Sequence, residues 1–310
     1  MASSIAIQTR GLSKQYAQTT AVNDLDLEIK AGQFYGLLGP NGAGKSTTIH
    51  MLTTMTTPSS GEAWIAGQQV SADPVTIRRT VGLVFQDSAL DRTMTIDENL
   101  QFAAAMYNLS PQQANERIDE LLSVFDLQSK RQQKLLALSG GQRRAVDIAR
   151  GVLHKPKVLF LDEPTIGLDL PNRRAIWRFV EQLRRNEGMT VFLTTHYLEE
   201  AAACDHVDFI QSGQLQQGGT PSELIKQLGA YILEITTPDP ESISAQLTPI
   251  FGIPVQEDEQ LSFKIAADDV DFYQLQQTLG ESISSMQWRH PNLNDVYLWR
   301  FCNPEKGDKS

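Results

Sequence analysis

The stretch Gly39-Pro40-Asn41-Gly42-Ala43-Gly44-Lys45-Ser46-Thr47 constrains this chain more than any other part of it. It follows the apolar run Phe34-Tyr35-Gly36-Leu37-Leu38 and leads into residues 47–53, which suit a helix. Strand, glycine-rich turn and helix in that order is the context in which the pattern GxxxxGK[ST] cradles phosphate. Gly39, Gly42 and Gly44 admit positive φ, so successive backbone N–H groups turn into one concavity. The helix that follows adds its unpaired first donors and the positive end of its dipole. Lys45 brings a mobile point charge for β- and γ-phosphates, and the Ser46 hydroxyl is suited to ligate Mg²⁺. An ordinary glycine-rich turn is the bland alternative. A chance match to the whole pattern has a probability on the order of a per cent at average Gly and Lys usage.

A length of 310 residues suggests about two domains. Hydrophobic residues make up 41% and charged ones 21%, which is enough for a core. The net charge of −10 argues against a broad nucleic-acid footprint. The pairs Arg143-Arg144 and Arg173-Arg174 read as solvated helix faces or local anion contacts. No run approaches the roughly 18–20 apolar residues that span a bilayer. Residues 1–8 lack the basic cap and apolar core of a signal peptide. Two cysteines, Cys204 and Cys302, make no disulfide framework and no metal motif. These features lead us to expect a cytosolic protein, with any membrane role exercised through a partner.

Along the chain, residues 5–9 and 25–29 read as strands flanking a turn near 17–20, with Tyr16 just before it. Residues 63–66 and 81–85 read as further strands, and Gln86 falls at the C-terminal end of the second, where open α/β sheets bind ligands. Residues 96–106 and 111–125 look helical, with Ser110-Pro111 as N-cap and first-turn pair. Leu138-Ser139-Gly140-Gly141-Gln142 precedes a helical pattern through Ala145, Ile148, Ala149 and Val152. Ser139 is a capping residue type, so this is either a second anion-binding helix terminus or a plainly capped helix.

The run Val158-Leu159-Phe160-Leu161 suits a strand buried on both faces of a parallel sheet. It ends in Asp162-Glu163, and buried paired carboxylates are costly unless they hold a cation or do chemistry. Residues 189–194 read as another strand, with His196 just beyond it at the same sheet edge. The remaining histidines, His50, His154, His206 and His290, show no ligand spacing and read as structural, as does Cys204.

With these motifs in place, residues 5–228 resemble the ATP-binding subunits of ABC transporters. The motifs occur in that family's order: the aromatic at Tyr16, the phosphate loop 39–47, Gln86, the LSGGQ signature 138–142, Asp162-Glu163, Gly167-Leu168-Asp169 and His196. The resemblance implies an α/β phosphate-loop ATPase core with an ABC-type β subdomain and a helical signature subdomain. It further implies that Tyr16 stacks on adenine and that Ser46 and Gln86 ligate Mg²⁺, with Asp162 supporting the ion through water. Glu163 orients and deprotonates the attacking water, and His196 holds the γ-phosphate and that water in line. Two copies sandwich two ATP molecules, with Ser139, Gly140, Gly141 and Gln142 of one copy closing over nucleotide held by the other, and Asp169 at the junction.

Finer features are similar to the daunorubicin-type drug-resistance exporter branch, whose permeases are separate chains. They are residues 162–169, residues 194–201 and the tail Pro291-Asn292-Leu293-Asn294-Asp295-Val296-Tyr297-Leu298. The implied function is to drive efflux of a drug, lipid or glycan-like substrate through an integral-membrane permease. The partner ATPase would be a second copy, the location the inner membrane face, and no nucleic acid is involved. Two departures stand out: Ile166 replaces a common hydroxyl residue, and Leu170 replaces a common proline. The alternative class is a soluble ABC ATPase acting on ribosomes or DNA. A single cassette, no heptad run and an acidic balance weigh against it, and the tail motif weighs against an importer.

Residues 229–303 read as a separate accessory domain. The pattern there is strand 231–236, helix 240–248, strands 253–256 and 261–265, helix 270–279 and strand 284–289. That β-α-β-β-α-β order suggests a small ferredoxin-like α+β unit, favoured as a packing or dimer-stabilising appendage over a ligand sensor. Residues 304–310 look disordered.

Overall fold

The computed structural model describes residues 4–265 and 272–301. The expected helix start at Val270, Cys302 and the tail 304–310 therefore lie outside the described residues. The chain divides into two compact units. Residues up to Tyr197 together with Cys204–Gly218 form the first, and Leu198–Ala203 with the chain from Gly219 onward form the second.

The chain opens with strands β1 (Ile5–Tyr16), β2 (Thr19–Lys30) and β3 (Phe34–Leu38), followed by helix α1 (Lys45–Leu52). Strands β4 (Ser60–Ile65) and β5 (Gln68–Gln69), helix α2 (Pro74–Thr80) and strand β6 (Val81–Val84) come next. Three helices follow, α3 (Ile96–Met106), α4 (Pro111–Val124) and α5 (Gly140–Val152), then strand β7 (Val158–Asp162). Helix α6 (Leu170–Glu187) and strand β8 (Thr190–Thr195) lead to the short helix α7 (Leu198–Ala201) of the second unit. Strands β9 (His206–Gln211) and β10 (Gln214–Gly219) return the chain to the first unit's sheet.

The first unit holds two sheets. One is antiparallel in the order β2-β1-β4-β5. The other has the order β10-β9-β3-β8-β7-β6, and β9, β3, β8, β7 and β6 pair in parallel. Every residue of β3, β7 and β8 is buried, the condition that makes their sequences continuous rather than alternating. Phe160 and Phe192 meet as a tilted ring pair, 5.4 Å between centroids, inside this sheet. Full burial of each contributes about 1.5–3 kcal/mol relative to exposure. The parallel register aligns the carboxyl ends of β3, β6, β7 and β8 along one edge, and that edge carries the site.

The helices begin where local chemistry dictates. Thr95, Ser110 and Ser139 each form a reciprocal capping box at the starts of α3, α4 and α5. Asp169 caps α6 through the Asn172 amide, and Pro171 fills the first turn, so Leu170 in place of proline leaves the helix start intact.

The second unit continues with helix α8 (Pro221–Lys226), strand β11 (Tyr231–Thr236), helix α9 (Pro240–Phe251) and strands β12 (Val255–Glu257) and β13 (Gln260–Ile265). Helix α10 (Phe272–Leu279), strand β14 (Ser285–Arg289) and helix α11 (Leu293–Phe301) complete it. Its sheet has the order β12-β13-β11-β14 with all pairs antiparallel, a split β-α-β arrangement. Leu233, Ile235, Leu261 and Phe263 pack with Ile243 and Leu247 of α9. Arg289 ties Glu234 to Asp295, each at 2.7 Å.

Candidate nucleotide site

Two glycines of the loop after β3 are required by close approach. A Cβ on Gly39 would lie 2.2 Å from the Ile210 carbonyl oxygen, and one on Gly44 would lie 2.4 Å from that of Ala21. Gly44 also has φ 110° and caps α1 with no side chain of its own, leaving the first-turn donors of α1 facing the loop. Lys45 is 4% exposed, and its Nζ donates to the carbonyls of Gly39 at 2.8 Å and Pro40 at 3.1 Å. The loop thus orients its own lysine.

Three further elements converge there. The Ser46 hydroxyl donates to Asp162 Oδ1 at 3.1 Å, and the Thr194 hydroxyl donates to the same oxygen at 2.5 Å. Glu163, only 7% exposed, places Oε1 at 3.5 Å from Lys45 Nζ and Oε2 at 3.2 Å from His196 Nδ1. Glu163 has φ 44°, a left-handed conformation costly for a side chain of this kind, and its N–H is anchored to the Thr194 carbonyl at 3.0 Å. His196 packs on Tyr197 at 4.1 Å, and the Arg173 guanidinium lies 3.9 Å over that ring.

Of these groups Gly44, Lys45, Ser46 and Glu163 line a cavity of about 260 Å³, whereas Gly39, Asp162, Thr194 and His196 stand outside its lining. Asn41, Gly42, Gly44, Lys45, Ser46 and Thr47 line one side, and Gln86 and Glu163 another. Ala43 is instead buried in the core, and Ile166 occupies the lining at the position of the missing hydroxyl. Tyr16, Ser139, Gly140, Gly141, Gln142 and Asp169 are not part of this lining. Tyr16 is 46% exposed at the β1–β2 turn under the Lys14 ammonium, 5.1 Å away. Ser139 and Gly140 are exposed at the start of α5. The Ser139 hydroxyl accepts from the Gln142 amide at 3.2 Å, and the Gln142 side chain accepts from the Ser139 amide at 3.1 Å. Gly141 is held against Asn172, where a Cβ would meet Oδ1 at 2.3 Å.

Sequence reasoning passed over four contributors. Thr194 read only as strand, Tyr197 only as a neighbour of His196, and Arg173 as a solvated helix face or local anion contact. The expectation that Arg143-Arg144 forms a solvated face is corrected for Arg144, which is 8% exposed and donates to the Phe85 and Pro164 carbonyls. Its guanidinium matches carbonyls that strand ends leave unpaired, a demand invisible without the sheet.

Residues 22–166 match the ABC transporter family. The daunorubicin/doxorubicin resistance ATP-binding protein DrrA of Streptomyces peucetius is 43% identical over 238 residues, covering 76% of this chain and 72% of that protein. The chain belongs to the ABC transporter ATP-binding family. The Nod factor export ATP-binding protein I of Cupriavidus metallidurans is 38% identical, and the match covers 94% of this chain and 96% of that one. Among solved structures, an ATP-binding subunit of an ABC transporter superposes with a TM-score of 0.65 at 28% identity, covering 72% of this chain and 92% of that chain. A dimeric ATP-binding cassette in a post-hydrolysis state with ADP and Pi gives 0.64 at 26% identity, covering 69% and 98%. This ABC ATPase binds and hydrolyses ATP, and its cassette fold is that of the family. Among the described residues, no helix is long and apolar enough to cross a membrane.

Proposed function

We propose that this ABC ATPase drives export of a drug, lipid or glycan-like substrate through a separate integral-membrane permease, working as a pair of identical copies at the inner membrane face. The carrying observation is the division of parts. Lys45, Ser46, Gln86 and Glu163 line one cavity, while the exposed Ser139-Gly140 terminus lies outside its lining. A triphosphate needs donors on every side, and a terminus displayed outward supplies them to a second copy's nucleotide. The names of relatives support the export branch: daunorubicin/doxorubicin resistance, Nod factor export and linearmycin resistance.

Within each copy we assign 1–228 as the ATP-binding domain and 229–303 as an accessory domain. Tyr16 stacks on the adenine, Asn41 through Thr47 hold the phosphates, and Asp169 lies at the pair junction. Ser46, Gln86 and Asp162 offer oxygen donors and a single carboxylate, and the first and last converge at 3.1 Å. Among the described residues no group of three or more His, Cys, Asp or Glu forms a complete cage. That donor set fits Mg²⁺, which is held by few carboxylates together with substrate phosphates. Held by Ser46, Gln86 and Asp162, such an ion would supply positive charge against the triphosphate. Glu163 takes the proton of the attacking water, and His196 holds that carboxylate and the γ-phosphate in line.

The permease has a candidate seat. A groove of about 470 Å³ is lined by Met55, Val75, Phe85, Met106 and Tyr107, with Met55, Val75 and Met106 exposed. Phe85 adjoins Gln86, so a permease helix in this groove touches the chain beside the nucleotide. Dilution tests the paired site: specific ATPase activity should fall as pairs dissociate. Constant turnover by a proven monomer sinks the reading. Crosslinks to the permease from residues 87–100 and from Met55 and Met106 of the groove should form in the intact complex, and absence of the groove crosslinks counts against the seat.

A further inference from the structure

One buried face of α5 grips two chain segments that belong to different strands. Arg144 Nη1 donates to the Phe85 carbonyl at 2.6 Å, and Nε donates to the Pro164 carbonyl at 2.5 Å. Nη2 lies 3.5 Å from the carbonyls of Asp162 and Glu163. Asp147, fully buried one turn on, faces the same guanidinium at 3.4 Å and Arg150 at 3.6 Å. Burial raises the Asp147 carboxyl, with Arg150, Arg144, the Ser88 hydroxyl and the Ala89 amide holding it down. Asp147 Oδ1 and Arg150 Nε remain without hydrogen-bond partners.

Glu163 makes this grip consequential. Its positive φ persists only where the surroundings over-determine it. On its N-terminal side the Thr194 carbonyl holds its amide, and on its C-terminal side Arg144 holds the next carbonyl. We propose that Arg144 is a positioning residue for ATP hydrolysis: it fixes the backbone that carries Glu163 and ties it to Phe85, the residue before Gln86. A planar fork with fixed donors can bridge two strand ends, and a lysine ammonium on a flexible stem cannot. None of the hydrogen bonds made by Lys45 or Ser46 involves Arg144, so its replacement should act on hydrolysis before it acts on nucleotide capture.

This inference rests on the ATPase reading of Glu163, and the test separates the two. Full-length wild type, Arg144→Lys, the pair Arg144→Gln/Asp147→Asn and Glu163→Gln are compared for kcat, KM and ATP Kd, with unfolding midpoints alongside. Arg144→Lys keeps a cation opposite Asp147, and its kcat should fall by about tenfold or more, as misplacement of a catalytic group does. Its ATP Kd should stay within about twofold, because binding and positioning are separable contributions. The double variant removes both charges of the buried pair and should show the same split, which keeps the question decidable if Arg144→Lys fails to fold. Wild-type kcat in either Arg144 variant overturns the proposal, as does a Kd that rises in step with the loss of kcat. If Glu163→Gln itself turns over like wild type, the ATPase assignment of Glu163 fails and takes the role of Arg144 with it.

Discussion

Glu163 and His196 meet at 3.2 Å because each stands one residue beyond a strand end, and those strands are paired in register. Asp162 of β7 lies opposite Thr194 of β8, so the chain must deliver a carboxylate and an imidazole to the same edge. The other carboxylate oxygen is 3.5 Å from Lys45. A triphosphate entering the cavity offers Lys45 more negative charge than one carboxylate does. In the mechanism proposed above, capture of nucleotide would draw Lys45 away from Glu163 and free that carboxylate for water.

Replacing Glu163 by Gln keeps the shape of the side chain but removes the base proposed for the attacking water. Turnover should fall by about 10²- to 10⁴-fold, the range general-base assistance spans. ATP should still bind and should hold the chain as a dimer. Phosphate release with size-exclusion chromatography in ATP reads both, and wild-type turnover removes Glu163 from the role.

Lys45→Ala acts on a different quantity. The lysine is buried and pre-aimed by two carbonyls, so its loss takes away a charge-assisted contact already organised for phosphate. Such contacts contribute about 1.5–3 kcal/mol, or roughly tenfold to a hundredfold in affinity. Calorimetric titration with ATP checks this, and unchanged affinity contradicts it.

Much of the site was legible because its signals are local. Glycine spacing at 39, 42 and 44, apolar residues ending in two acids, and Ser139 with Gln142 each carry their chemistry within a few residues. The extent of β1 and β2 was not. Each runs 12 residues rather than the expected five, because their half-exposed faces carry polar residues that read as turn. Arg144 and Thr194 were also hidden. Both are buried polar groups with distant partners: the parallel pairing of β7 and β8 brings Thr194 to the Asp162 carboxylate, and the seating of α5 brings Arg144 to the Pro164 carbonyl just beyond β7.

Two glycines with positive φ separate strain from collision. Gly67 has φ 80° and open space where a Cβ would stand, whereas Gly44 adds a backbone oxygen at 2.4 Å from that position. Gly67→Ala should cost about 1–2 kcal/mol from conformation alone. Gly44→Ala adds overpacking of about 1–3 kcal/mol and should be distinctly worse. Urea unfolding of the two variants measures the difference, and equal losses would show that the loop shifts freely away from Ala21.

His154 gives the fold a pH dependence of its own. Its ring stacks on Tyr107 at 3.7 Å, and Nε2 lies 3.0 Å from the Val81 carbonyl, so that nitrogen carries the proton. Nδ1 is buried without a partner. Burial, with Arg117 nearby, lowers its pKa from 6.5 to about 4 against the opposing pull of the Val81 carbonyl. The folded ring is therefore neutral at pH 5, where the unfolded one is protonated. Between pH 6.5 and about 4 the unfolded chain binds more protons, and stability rises with pH across that window. The contribution is complete above pH 6.5 and is lost as pH falls toward 4. Replacing His154 by Gln removes the titrating group while keeping a donor for Val81. Urea midpoints at pH 7.5, 6 and 5, chosen to bracket the ordinary histidine range, should fall more steeply in wild type than in His154→Gln. Parallel slopes would assign the acid lability to other groups.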